Sequence, residues 1–154
     1  MNLRATMDDK NSILIPELAG WNDGAGITIP AWISGIGRFD HALGYVSIFW
    51  PDFVQYQCCI LRQLPDSDNF QEWMKVMSGD IAKIEAMMNH VHILDLFVGS
   101  EYQPNKPLLL KLGQVLKDMW SCKLAHEFPS MGFTVELDVE AEDLADLTLT
   151  FYQL

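Results

Sequence analysis

The sequence has 154 residues, of which 49% are hydrophobic and 11% aromatic. This composition excludes an aromatic-poor disordered chain and predicts one globular domain over residues 1–154, with residues 1–12 as a flexible tail. The chain has 21 acidic and 10 basic residues, a net charge of −11. The basic residues are scattered, which opposes direct nucleic-acid binding, whereas a large acidic surplus favours encounter with a basic protein partner.

Targeting and redox signals are also informative. No stretch approaches the roughly 18 consecutive apolar residues of a membrane-spanning helix, and Asp8 and Asp9 argue against a signal peptide. We therefore expect a cytoplasmic protein with no membrane partner. The cysteines, Cys58, Cys59 and Cys122, are odd in number and two are adjacent, so they do not form a disulfide framework.

The first half of the chain contains a helix signal followed by strand signals. Thr28 and Pro30 are typical of a helix start and predict a helix over residues 30–43. Residues 45–50 and 53–61 are rich in β-branched and aromatic residues and predict strands on either side of Pro51, which either closes a hairpin or bends one strand. Alternation in the second run assigns these residues to the core face: Val54, Tyr56, Cys58 and Ile60. Cys59 is then the more exposed cysteine.

Three further helices follow. Asp68 and Gln71 resemble a capping box, and Asp80 offers a second cap for a helix that extends toward Leu94 and Val98. Asn105 and Pro107 introduce a long helix to about His126. Its predicted buried stripe is Leu108, Leu112, Val115, Met119 and Cys122, and its predicted exposed face is Lys111, Gln114, Asp118 and Ser121.

The C-terminal segment has the clearest strand pattern. Apolar residues alternate with polar ones through residues 133–140 and again through 147–152, which predicts an antiparallel hairpin with one dry and one wet face. The predicted dry face includes Val139. Together with the central strands, the hairpin predicts an α+β domain in which a small, mainly antiparallel sheet of about four strands packs against three or four helices.

Acidic residues dominate this hairpin. They are Glu136, Asp138, Glu140, Glu142, Asp143 and Asp146. The alternation places the first three on the wet face, together with Thr148, Thr150 and Tyr152 of the second strand. Such a face complements a basic protein, with Trp21 or Tyr152 as aromatic anchors.

Two sets of residues suggest enzyme chemistry. Glu85, His90, His92 and Asp95 have side chains that bind metals, so a metal-dependent hydrolase is one alternative. The helical pattern through this region argues against a shared site, because residues two apart lie on different helix faces, and it favours a buried hydrogen-bonded row of Glu85, Asn89 and His92. The other set is Cys58 or Cys59 with His41 or His126 as its base, but no cysteine-enzyme signature surrounds it.

These features favour a non-enzymatic protein that needs no cofactor. We expect an inhibitor of the immunity-protein or antitoxin type, whose acidic surface covers the cationic groove of a nuclease-type toxin. The remaining alternative is a structural homo-oligomer held together by exposed aromatic residues near Phe49 and Phe53.

Overall fold

The computed structural model of the protein describes residues 14–99, 104–140 and 143–154. Within these ranges the chain forms five α-helices and two antiparallel sheets, so the α+β prediction is confirmed. The strands form separate sheets of two and three strands instead of the single sheet that we expected. The predicted tail, residues 1–12, lies outside the described residues.

The helices and strands alternate in short groups along the chain. The helices are α1 (Ile29–Ile36), α2 (Phe39–Phe49), α3 (Ser67–Val76), α4 (Ile81–Met88) and α5 (Lys106–Glu127). The strands are β1 (Val54–Tyr56), β2 (Cys59–Leu61), β3 (Val91–His92), β4 (Phe133–Leu137) and β5 (Thr148–Gln153). Short 3-10 turns occur at Pro16–Gly20, Leu94–Phe97 and Leu144–Asp146.

Side-chain caps mark where four of the described helices begin. Thr28 caps α1 by accepting from the backbone N–H of Ala31, at the predicted helix start. Asp80 caps α4 by accepting from the backbone N–H of Lys83, and Asn105 caps α5 by accepting from that of Leu108, both as predicted. The cap of α3 is Asp66, whose Oδ1 accepts from the backbone N–H groups of Asp68 and Asn69. The assignment to Asp68 was therefore wrong by two residues.

The region before the first sheet differs most from the prediction. The single helix expected over residues 30–43 is two helices, because the chain becomes extended at Gly37 and restarts at Phe39. Residues 45–49 continue α2 and are not a strand, although their β-branched and aromatic side chains favour one. Their local preference is overridden because Ile48 and Phe49 pack on the core and the indole N–H of Trp120 donates to the carbonyl of Ile48 at 2.9 Å.

The predicted strand over residues 53–61 is a hairpin, β1–β2. Its turn lies at Gln57 and Cys58, where Gln57 has a positive φ of 53°, so Pro51 neither closes the hairpin nor bends a strand. This turn reverses the chain and breaks the alternation on which the core assignment depended. Cys59 is therefore buried and Cys58 exposed, the opposite of our expectation.

The larger sheet has the strand order β3-β5-β4 and carries the main core. The predicted C-terminal hairpin is confirmed, with Val135 paired to Phe151 and Glu136 to Thr150. Phe151 makes edge-to-face ring contacts with Phe53 and Trp120. Val139 is 54% exposed, because β4 ends at Leu137 and Val139 lies beyond the paired residues.

Helix α5 covers the dry face of the larger sheet. The predicted exposed residues are exposed, but the buried face was misplaced by about one residue. The buried residues are Leu109, Gly113, Leu116, Trp120, Lys123 and Leu124. At Gly113 an added Cβ would lie 2.7 Å from Leu137 Cδ1, so the absence of a side chain allows β4 to approach the helix closely.

Helix α4 ends earlier than predicted. It stops at Met88, and the next residues form β3, which pairs with β5 through Val91 and Leu149. The predicted extension of this helix toward Leu94 and Val98 was therefore wrong, and Val91 is buried as a strand residue.

Two buried polar side chains, Glu85 in α4 and Asn89 at its C-cap, join the two sheets. Glu85 accepts hydrogen bonds from the backbone N–H of Ile60 in β2 at 2.6 Å and from that of Gln153 in β5 at 2.7 Å. Asn89 donates to the carbonyl oxygens of Ile60 at 2.9 Å and Phe151 at 3.2 Å, and accepts from the backbone N–H of Arg62 at 3.0 Å. The predicted buried network of Glu85 and Asn89 is thus present. It holds the hairpin β1–β2 against the edge of the larger sheet.

Candidate protein-binding surface

The acidic residues of the C-terminal hairpin lie on the protein surface. We call this surface, made of β4, β5 and the described part of their connection, the acidic hairpin. Its described carboxylates are all exposed: Glu136, Asp138, Glu140, Asp143 and Asp146. Glu142, which we also assigned to this surface, lies outside the described residues.

An ordered hydrogen bond links two of the predicted binding residues. The Tyr152 hydroxyl donates to Glu136 Oε1 at 2.6 Å, across the pair of strands. Thr134 is directly opposite Tyr152, so Glu136 occupies the diagonal position, which a long aromatic side chain can reach. The hydrogen bond to the Glu136 carboxylate raises the pKa of Tyr152, because ionising the hydroxyl would place two negative charges together. Tyr152 therefore presents a half-buried ring beside an oriented carboxylate.

The connection between the strands is held by its own aspartates. Asp138 accepts from the backbone N–H of Glu140 at 3.0 Å, and Asp143 caps the following 3-10 turn by accepting from that of Ala145 at 3.0 Å. Leu147 is buried in the main core and its carbonyl accepts from the backbone N–H of Ile93. These contacts fix the conformation of the described part of the connection, in which Asp138 and Asp143 are exposed and Leu147 is buried.

The charged residues of the acidic hairpin are all acidic. After Lys123 the sequence contains no Lys or Arg through its last residue, Leu154. Lys123 itself forms ion pairs with Glu127 and Asp52, and the Glu127 hydrogen bond, the largest cause, raises its pKa. No cation of the hairpin's own sequence therefore offsets its negative potential, which extends about one Debye length, roughly 8 Å at physiological salt.

One part of the predicted wet face is covered. Thr150 lies on the same side as Glu136, but its hydroxyl donates to the carbonyl of Ala86 in α4 at 2.7 Å. It is half-buried, as is Thr148. The exposed portion of the hairpin is therefore narrower than the alternation suggested, because α4 packs across β5.

The histidines proposed as metal ligands have a strand geometry. His90 and His92 lie on one side, and their rings are 4.7 Å apart in an edge-to-face contact. His92 Nδ1 is 2.7 Å from the carbonyl oxygen of Ala145, so His92 contacts the acidic hairpin and is not part of the Glu85 network that we expected. Partial burial and the nearby His92 lower the pKa of His90.

Glu85 is committed to the junction between the sheets, and Asp95 is exposed in the 3-10 turn after β3. Within residues 14–99, 104–140 and 143–154, no three His, Cys, Asp or Glu side chains are grouped closely enough to hold a metal ion.

Among the described residues, no hydrogen bond joins Cys58 or Cys59 to His41 or His126, the bases that we considered. Burial, the main cause, raises the pKa of the Cys59 thiol to about 12, which keeps it protonated at neutral pH. The Asp40 carboxylate forms an ion pair with Arg38, whose hydrogen bonds lower the pKa of Asp40, and His41 contacts the ring of Tyr45.

The other predicted anchor, Trp21, is half-buried beside Glu17.

Helices α1 and α2 form a second candidate surface, which the sequence did not predict. Apolar residues at helical spacing in α1 and α2 are exposed, including Ile33, Ile36, Phe39, Leu43 and Val46. In the sequence, apolar residues recur every three or four positions through both helices. The β-branched and aromatic composition of residues 45–50 obscured this helical pattern.

In the part of the chain that the structure describes, none of the helices is both long enough and apolar enough to cross a membrane. Comparison with known proteins finds no matching family, no similar curated protein and no similar solved structure.

Proposed function

We propose that this protein is a non-enzymatic inhibitor of the immunity-protein or antitoxin type, acting in the cytoplasm. Its partner is a basic, nuclease-type toxin domain, whose cationic substrate groove the acidic hairpin covers. The proposal rests on one observation: five described carboxylates are exposed on one hairpin whose own sequence contains no basic residue.

Physical chemistry connects this arrangement to inhibition. A nuclease must concentrate positive charge in its substrate groove, because phosphates are bound by Lys and Arg. A rigid surface of carboxylates competes for the same cations and speeds the diffusional encounter. The capped aspartates and the Tyr152–Glu136 hydrogen bond support this role because they hold the charges in place before binding, which lowers the entropy lost on association.

The partner is sought in the neighbouring gene, because inhibitors of this type are encoded beside the toxin that they neutralise. The neighbouring product is expressed alone and together with this protein. We expect it to inhibit growth alone, and co-expression to restore growth through a co-purifying complex. A neighbouring product that is harmless, or that remains toxic and does not bind, would contradict the proposal.

Charge reversal then tests the surface. We expect the triple variant Glu136→Lys, Asp138→Lys, Glu140→Lys to slow association with that partner about 10-fold or more at low salt and to flatten its salt dependence. The matched control, Asp68→Lys, Glu72→Lys, Asp118→Lys, makes the same change in net charge on exposed positions of α3 and α5. Stopped-flow association rates at several salt concentrations provide the measurement. An equal effect of both variants would assign the steering to net charge and not to the hairpin.

A further inference from the structure

Helices α1 and α2 have apolar stripes that the described residues leave uncovered. In α2 the stripe consists of Phe39, Leu43 and Val46, spaced by four and three residues, and these side chains are 98%, 75% and 51% exposed. In α1, Ile29, Ile33 and Ile36 have the same spacing. Within Ile29–Ile36 and Phe39–Phe49, no residue is buried. An amphipathic helix normally directs such a stripe toward a partner element.

The end of α2 is nevertheless firmly attached to the domain. Ile48 and Phe49 pack against the main core, and the carbonyl of Ile48 accepts the hydrogen bond from Trp120. Tyr45 makes an edge-to-face contact with Phe97 at 5.7 Å. The exposed stripe is therefore presented from a supported helix, as a docking surface requires.

The charge of this surface distinguishes it from the acidic hairpin. Over residues 27–50 the Lys, Arg, Asp and Glu side chains are Arg38 and Asp40, which form an ion pair with each other, and the range also contains His41. With histidine counted as neutral, the surface is neutral in a chain of net charge −11. It lacks the cluster of Lys and Arg residues with which interfacial helices bind anionic lipids, and it offers no net charge complementary to a basic partner. A second copy of the same neutral surface matches it without electrostatic cost.

The surface contains both a recess and an exposed ring. A groove of about 630 Å³ lies between α1 and α2, where its apolar lining includes Trp32, Ile33, Ile36 and Tyr45 and its polar lining includes Arg38 and His41. Phe39 also lines this groove, and its ring is almost fully exposed. A two-fold interface needs a projection and a recess on one surface, because each copy contributes both.

The exposed area is also sufficient for a dimer. Seven apolar residues of α1, α2 and the C-cap of α2 are exposed, and their exposed fractions add up to about four fully exposed side chains. They are Ile33, Ile36, Phe39, Leu43, Tyr45, Val46 and Trp50. At roughly 150–200 Å² for each fully exposed side chain, this is about 600–800 Å². A standard interface buries about 800 Å² on each partner, whereas the largest apolar patch of a typical monomer covers about 300–600 Å².

From these observations we infer that the α1–α2 surface binds a second copy of this chain. Helices α1 and α2 of the two copies pack together across a two-fold axis, with Phe39 of each copy entering the groove of the other. The interface differs from the aromatic surface near Phe49 and Phe53 that we expected from the sequence, because Phe53 is buried and Phe49 half-buried. This inference is independent of the toxin-inhibitor proposal.

Mass measurement with matched variants tests the inference. Light scattering after gel filtration and sedimentation velocity, over roughly 1–100 μM protein, should show twice the 17.5 kDa chain mass. Leu43→Lys places a charge in the centre of the interface and should raise the dimer dissociation constant at least about 30-fold. Leu64→Lys is the matched control, because Leu64 is 68% exposed but lies outside α1 and α2, and it should leave the dimer unchanged.

Several outcomes would overturn the inference. These are a monomeric mass of the unaltered protein across the whole concentration range, or equal weakening by Leu43→Lys and Leu64→Lys. Phe39→Ser, at the most exposed position, is a second variant if Leu43→Lys does not fold, and circular dichroism checks the fold of each variant. A monomer that floats with phosphatidylcholine or phosphatidylglycerol vesicles, and loses this property in Leu43→Lys, would assign the surface to lipid and refute self-association.

Discussion

Replacing Glu85 by its amide isostere, Glu85→Gln, should weaken the junction between the two sheets. Glu85 Oε1 accepts from the Ile60 backbone N–H and the Gln153 side-chain amide, and Oε2 accepts from the Gln153 backbone N–H. A carboxamide has one acceptor oxygen, so its NH₂ group must face an N–H donor. A buried donor left without an acceptor costs about 1–3 kcal/mol, and a hydrogen bond to a charged group contributes about 1.5–3 kcal/mol. We therefore expect the free energy of unfolding to fall by about 2–4 kcal/mol.

The reciprocal exchange, Asn89→Asp, tests the same junction with the opposite polarity. The Asn89 amide donates to the carbonyl oxygens of Ile60 and Phe151, so a carboxylate would place an acceptor against two acceptors in a buried site. The expected loss is again at least about 2 kcal/mol, because two buried carbonyls lose their donor and a charge enters the core. This is a large share of the roughly 5–15 kcal/mol that stabilises a typical domain.

Urea unfolding at 25 °C and pH 7, followed by circular dichroism, measures both losses. Glu72→Gln is the matched control, since Glu72 is exposed on α3 and its exchange should change stability by less than about 0.5 kcal/mol. Amide hydrogen exchange gives the local result, with Ile60 and Gln153 expected to exchange faster in Glu85→Gln. Stability of Glu85→Gln within about 0.5 kcal/mol of the control would refute the structural role of the carboxylate.

Two further predictions concern ionisable groups. Iodoacetamide at pH 8 should modify the exposed Cys58 and Cys122 in the folded protein but Cys59 only after denaturation, because burial raises the pKa of Cys59 to about 12. Peptide mass spectrometry measures the modification rates, and equal rates at Cys58 and Cys59 would contradict the prediction. The pKa of His90 is lowered by burial and by His92, so below its unfolded value of about 6.5 the unfolded state binds more protons and stability decreases with falling pH. Between pH 7.5 and 5, the calorimetric melting temperature of His90→Asn should thus fall less steeply than that of the unaltered protein. Identical pH profiles of the two proteins would contradict this role of His90.

Strong periodic patterns were sufficient to predict part of the fold. Alternation through residues 133–140 and 147–152 predicted the β4–β5 hairpin, because a strand half exposed to water separates its polar and apolar residues at a period of two. Strand β4 ends earlier than predicted, at Leu137. Asp80 and Asn105 marked helix starts, because each side chain accepts from a backbone N–H of the first turn. Glu136, Asp138 and Glu140 were assigned to the candidate surface for the same reason as the hairpin, since they occupy polar positions of this alternation, whereas the other carboxylates were found from the composition of the connection.

The sequence alone could not assign residues that fit two patterns. Helix α5 has apolar residues around much of its circumference, and the buried face includes Gly113, which no hydrophobic pattern selects. The close approach of Leu137 to that glycine decided the rotation of the helix. At Gln57 and Cys58, a turn without Gly or Pro interrupted the alternation, and all three residues of β2 are buried, so Cys59 is the buried cysteine while Ile60 is buried as predicted.

The sequence by itself thus determined the α+β class, the long helix, the C-terminal hairpin and its excess of carboxylates, because these depend on local periodicity and composition. The tertiary structure decided the helical state of residues 45–49, the use of Glu85 and Asn89 to join two sheet edges, and the exposure of the stripes on α1 and α2. Each of these depends on groups far apart in the chain. Burial and hydrogen bonding between such groups contribute more free energy than the roughly 1 kcal/mol or less that separates local backbone preferences.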